Sequence, residues 1–141
     1  MTLQISLAEG MDLRRSYLEK ARRVVVKVGS AVLTGNSGLN HQAMTNLVRQ
    51  LSDLRHGGRE VILVSSGAVA AGRRKLGVSR KPISLREKQA VAAAGQSHLM
   101  RAYEDIFAGF EQKVAQVLLT RDDLSQRTRY LNVRNTLLTL L

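Results

Sequence analysis

The chain contains no cysteine, which excludes disulfides and thiolate chemistry. Its three histidines, His41, His56 and His98, are well separated and lack ligand spacing, so no built-in transition-metal site is expected. Aromatic residues make up only 4%, too few for a base-stacking platform. No stretch is long and apolar enough to span a bilayer, and no apolar region precedes a small-residue cleavage site near the start. Internal repeats and low-complexity segments are absent, and no G-x-x-x-x-G-K-[ST] phosphate loop occurs. The expectation is a cytoplasmic protein with no membrane partner.

What is present is 141 residues, one domain by size and long enough to bury a core. The net charge of +11 draws attention to nucleic acid. The basic residues, however, are dispersed: Arg14–Arg15, Arg22–Arg23, Arg73–Lys75, Arg80–Lys81 and Arg127–Arg129. They read as solvated helix faces that also attract anionic substrates, and no nucleic-acid partner is expected.

Strands and helices alternate along the sequence. Residues 1–21 read as a polar leader of uncertain order, with periodicity only from Leu13 to Ala21, and Met11 is a second candidate start. Val24–Val28 is a β-branched apolar run and the first predicted strand. Gly35–Gly38 (GNSG) predicts a turn. A helix follows from about Asn40, with Met44, Leu47, Val48, Leu51 and Leu54 on one face, stopped by Gly57–Gly58. Glu60–Ser65 is the second strand, and Gly67–Leu76 a helix ending at Gly77.

Pro82 interrupts, and Ser84 with Glu87 forms a capping box opening a helix to about Phe107. Its inward stripe is Leu85, Val91/Ala92, Gly95, Leu99, Tyr103 and Ile106. Val114–Thr120 predicts a third, buried strand, and Ser125 caps a last helix bearing Tyr130, Val133, Leu137 and Leu141. This order implies an α/β fold, a mainly parallel sheet with helices on both faces. The sheet is narrow and the last helix lacks a following strand, so the chain reads as the front of a larger fold.

The chemistry gathers where strands end. Lys27 is the one charge inside the Val24–Val28 run, followed by Gly29 and Ser30. Either it is a snorkelling edge lysine before an ordinary turn, or an ammonium, a close-approach backbone and a hydroxyl arranged for a phosphoryl group. Ser65–Ser66–Gly67 ends the second strand where a helix opens. Ser66 is then either that helix's N-cap or part of a carboxylate or phosphate site with the free N–H groups there. Gly72 suits close helix packing. Thr120, Arg121 and Asp122 end the third predicted strand, so three strand ends converge on one edge. An exposed Arg121–Asp123 ion pair is the plainer reading of that last site. Gln96, Asn132 and Asn135 either face the cleft or point outward.

In order, VVVKVGSAVLTG, VILVSSGAVAAGRRKLG, KQAVAAAGQSHLM, AQVLLTRDDL and RYLNVRNTLLTLL resemble the opening half of the glutamate 5-kinase branch of the amino-acid kinase family. The resemblance runs from about Arg22 to Leu141. It implies a three-layer αβα sandwich and transfer of the ATP γ-phosphate to the side-chain carboxylate of L-glutamate, with Mg²⁺. The product, γ-glutamyl phosphate, starts proline biosynthesis, and proline is the implied feedback inhibitor. By position, Lys27 matches the family's ATP-phosphate lysine and Ser66 its glutamate-binding serine. Gly29 and Ser30 fall in the phosphate loop and Gly67 in the glutamate loop.

The family's N-E-N-D-type loop, its ATP-binding half with a second phosphate-contacting lysine, and the C-terminal domain of some members have no counterpart here. Residues 22–141 are therefore expected to be the glutamate-binding part of a kinase domain, inactive alone, from a complete enzyme that is homo-oligomeric. The alternatives are the front of a bifunctional kinase–reductase and a non-catalytic basic binding module.

Overall fold

A computed structural model describes residues 6–35, 38–80 and 84–141. The middle of the GNSG turn (Asn36 and Ser37), Pro82 and residues 1–5 of the leader lie outside the described residues. The elements run α1 (Leu7–Lys20), β1 (Arg23–Val28), α2 (Ser30–Leu33), β2 (Thr34–Gly35), β3 (Gly38–Leu39), α3 (His41–His56), β4 (Glu60–Ser65), α4 (Ala68–Lys75), α5 (Leu85–Ala108), α6 (Arg121–Ser125) and α7 (Arg127–Leu140).

The architecture is α/β. β1 and β4 pair in parallel, from Arg23 opposite Glu60 to Val28 opposite Ser65, and β2 and β3 form a short antiparallel pair. Each β-branched run meets a neighbour of its own kind, the surface on which such side chains pack. Parallel pairing requires a crossover, and α3 provides it. Asn40 accepts a hydrogen bond from the Ala43 amide at 3.0 Å to start α3. Gly58, with φ +79°, ends it in a conformation few other residues adopt.

One face of the parallel pair is covered. Val28 and Leu63 pack with Leu33, Met44, Val48, Leu99, Ala102 and Tyr103, which come from α2, α3 and α5. The opposite face carries Val25, 60% exposed, and Val64, 46% exposed, and is largely open among the described residues.

α5 begins with the predicted capping box: Ser84 Oγ accepts from the Glu87 amide at 3.1 Å, and the Ser84 amide donates back to Glu87 at 3.2 Å. Its inward stripe starts at Val91, because α4 meets α5 at Val91 and Gly95. Leu85 instead lies in the first turn and is 70% exposed.

The structure corrects two expectations. Val114–Thr120 forms no strand, so the parallel sheet has two strands among the described residues. Its composition suits a strand, but a ladder needs a partner, and among the described residues it pairs with none; Leu118 is 72% exposed. Ser125 does not cap the last helix. It ends α6, donating to the Asp122 carbonyl at 3.3 Å, and α7 follows Gln126 without a side-chain cap.

The stretch read as a leader is helical from Leu7. Ser6 and Glu9 make a capping box there, and that hydrogen bonding holds the Glu9 carboxyl below the usual range. No residue of α1 is buried. Arg59 anchors its end, donating to the Leu18 and Ala21 carbonyls at 3.3 Å each.

Candidate active site

The parallel register brings two of the predicted strand ends together. Lys27 lies opposite Val64 and Val28 opposite Ser65. Gly29–Ser30 therefore leaves the sheet beside Ser66–Gly67. In an open parallel sheet this carboxyl edge is where ligands bind.

Lys27 projects from the open face of β1, between half-buried Val26 and buried Val28. At the far end of the strand Glu60 pairs with Arg23 at 2.6 Å and with Arg22 at 3.9 Å. That carboxylate is four residues away along the strand, about 13 Å at the usual rise. No acid among the described residues pairs with Lys27.

Gly29 precedes α2 with φ −79° and ψ 160°, a conformation open to any residue. A Cβ built there would meet nothing within 4 Å. Neither backbone conformation nor packing requires glycine at this position, and the bare backbone there is open to close approach. Ser30 opens the single turn of α2, and its carbonyl accepts from Thr34 Oγ1 at 2.8 Å.

Ser66 is not the N-cap of α4. Gly67 holds that place, with no side-chain cap, so the first N–H groups of the helix are not taken up by a capping side chain. Ser66 Oγ instead donates to the Val28 carbonyl at 3.3 Å, tying the two strand ends together. Gly67 is buried, and a Cβ there would lie 3.2 Å from Leu99 and 3.3 Å from Leu33. Its small size lets α2 and α5 close beneath the edge.

Tyr103 was legible only as part of the core stripe. Its hydroxyl reaches Ser65 Oγ at 3.1 Å. Burial pushes the phenol's pKa up, and the Ser65 hydrogen bond partly offsets this. The available signal was that a buried tyrosine needs a hydrogen-bond partner.

The third expected strand end does not join the site. Thr120 caps α6: its hydroxyl and amide donate to Asp123 at 2.5 and 2.8 Å. These bonds, first the hydroxyl and then the amide, hold the Asp123 carboxyl below its usual range. Asp123 pairs with Arg129 at 3.7 Å rather than with Arg121. The Asn132 and Asn135 carbonyls accept from Thr136 and Thr139 within α7. Those asparagines line a shallow groove on that helix rather than the strand ends, and Gln96 is half-buried in α5.

The donors at the edge are an ammonium, the Ser30 hydroxyl and backbone N–H groups, a set suited to anions. Among the described residues no group of three or more histidines and carboxylates gathers to hold a metal. No helix among the described residues is long and apolar enough to cross a membrane.

Comparison with known proteins matches residues 22–141 to the amino acid kinase family. The chain is 60% identical over 132 residues to the glutamate 5-kinase of Desulfotalea psychrophila, covering 93% of this chain and 35% of that protein. It is 58% identical over 130 residues to the glutamate 5-kinase of Geobacter metallireducens, covering 92% of this chain and 35% of the relative. Against the glutamate 5-kinase of Thermus thermophilus it is 58% identical over 121 residues, covering 86% and 33%. The chain thus spans about a third of the length of these curated relatives.

Proposed function

The chain belongs to the amino acid kinase family, and from that premise we propose that it supplies the glutamate-binding part of an ATP-dependent glutamate 5-kinase. In this reading a side-chain carboxylate oxygen of L-glutamate attacks the γ-phosphorus of ATP. The bond from that phosphorus to the β–γ bridging oxygen breaks, ADP leaves, and γ-glutamyl phosphate forms as the first step of proline biosynthesis.

The observation that carries the proposal is the pairing, on one sheet edge, of an unneutralised Lys27 beside open Gly29 with the uncapped start of α4. Lys27, with Gly29 and Ser30, holds the ATP phosphates. Its ammonium offsets charge on the non-bridging oxygens, where stabilisation counts most in phosphoryl transfer. Ser66 and the N–H groups beginning at Gly67 hold glutamate. A carboxylate is favoured there by the positive end of the helix dipole.

The basic side chains weigh against a basic binding module, because several are engaged locally. Arg22 and Arg23 pair with Glu60, Arg80 with Glu87 and Arg129 with Asp123. The proposal carries with it a cytoplasmic location, proline as feedback inhibitor and a homo-oligomeric complete enzyme, as the resemblance implies. Residues 1–141 by themselves are proposed to be inactive, since they gather one phosphate-facing ammonium and match a third of the relatives' length. The test is ADP release by the full gene product with glutamate, with aspartate, and with neither. Glutamate-dependent release supports the reading; release indifferent to the amino acid, or none, overturns it. Glutamate-dependent release by the 141-residue chain alone would refute its inactivity.

A further inference from the structure

We propose that Tyr103 is a positioning residue for this edge: through Ser65 its hydroxyl sets the placement of Ser66 and of the first N–H groups of α4. The inference rests on the reading of that edge as the glutamate site.

Tyr103 lies in α5 and is 4% exposed. Its ring packs in the core with Val28, Leu99 and Ala102, and its centroid is 6.3 Å from that of Phe107. The ring's packing explains an aromatic residue here. It does not explain the hydroxyl, which a buried site tolerates only with a partner. That partner is Ser65 Oγ, at 3.1 Å.

Ser65 is the last residue of β4 and the register partner of Val28. The next residue, Ser66, turns outward, is exposed, and donates to the carbonyl of the same Val28 at 3.3 Å. Tyr103, Ser65, Ser66 and Val28 thus link α5, β4 and β1 where the strands end. The inward serine is held by the core, and the outward one faces a ligand. Ser66 spends its single proton on Val28, so its oxygen is an acceptor toward a ligand while the α4 N–H groups are the donors toward a carboxylate. Displacements of about 1 Å at such groups are enough to cost binding and rate.

Tyr103→Phe keeps the ring and removes only the hydroxyl, so it tests position rather than packing. In the full gene product the glutamate KM should rise about fivefold or more, about 1 kcal/mol, with the ATP KM within about twofold of the parent. Amide exchange should quicken in the segment 64–68 and stay unchanged in α3. Ser65→Ala should do the same, and the double variant should add little further, because the two act as one unit. An unchanged glutamate KM with unchanged exchange at 64–68 overturns the proposal. So does an equal loss toward both substrates accompanied by exchange quickened throughout the chain, the mark of a merely structural tyrosine. If the parent protein does not phosphorylate glutamate, the reading of the edge fails, and the exchange comparison still decides whether Tyr103 holds Ser66 in place.

Discussion

Gly72 of α4 and Gly95 of α5 meet backbone to backbone. A methyl group on Gly72 would run into the Val91 carbonyl, and one on Gly95 into the Ala68 carbonyl and the Gly72 amide nitrogen. Neither glycine has a positive φ, so the requirement is space and not conformation. The crossing fixes α4 against α5, and the first turn of α4 begins at the candidate site.

That contact sets two effects in opposition when Gly95 becomes alanine. Helix propensity favours alanine by about 0.8–1.0 kcal/mol. Overpacking into backbone, which cannot rotate away, costs about 1–3 kcal/mol or more. The clash should win, leaving Gly95→Ala net destabilised, by about 1 kcal/mol at the middle of that range, in denaturant unfolding. A gain in stability would show that the helices are not in backbone contact.

Lys27→Met should lower kcat of the full gene product by at least about tenfold, since one cation at the transferring phosphoryl group supplies several kcal/mol. The lysine is exposed, so the melting temperature should barely move. A change in kcat below about twofold would remove Lys27 from the mechanism.

Gly29→Ala separates ligand approach from folding. The added methyl meets no neighbouring atom within 4 Å, and φ −79° suits alanine, so stability should be unchanged or slightly raised. Binding of ATP, read as its KM, should weaken several-fold because the methyl occupies the space proposed for phosphate. An unaltered ATP KM would assign that space to something else.

Ser66→Ala should raise the glutamate KM more than the ATP KM. It removes both an outward oxygen and the 3.3 Å tie to Val28. Equal effects on the two substrates would argue that Ser66 only braces the strands.

The cap on α6 should be acid-labile. Hydrogen bonds from Thr120 hold the Asp123 carboxyl below its ordinary value in the folded chain. A depressed folded pKa contributes stability that is complete above the ordinary carboxylate value and lost as pH falls through the folded one. Amide exchange across residues 121–125, corrected for intrinsic pH dependence, should therefore quicken on acidification into that window. In Asp123→Ala it should be fast already at neutral pH. Equal protection in parent and variant would show that the cap does not hold the helix.

Much of the site was legible because its signals are local. An apolar β-branched run broken by Lys27, and a second ending in Ser65–Ser66–Gly67, mark two strand ends by composition alone. The capping box at Ser84 and the helix face Met44–Val48–Leu51 follow from spacings of three and four residues. Val114–Thr120 has equally good strand composition, yet it is unpaired, because pairing depends on a second segment. The assignment of Ser125 as a cap failed for a related reason: Thr120 with Asp123 made an earlier, better-bonded start, and Gln126 began the next helix without a side-chain cap.

The amino-acid sequence by itself determined that β1 and β4 exist, where they stop, and that an ammonium and two serines stand at their ends, since these depend on neighbours in the chain. Only the tertiary structure decided that Ser66 bonds to Val28 and caps nothing, that Gly67 is small for Leu33 and Leu99, and that Tyr103 reaches Ser65. Those contacts join residues more than thirty positions apart, and their distances come from how β1, β4, α2 and α5 pack together, which no local pattern encodes.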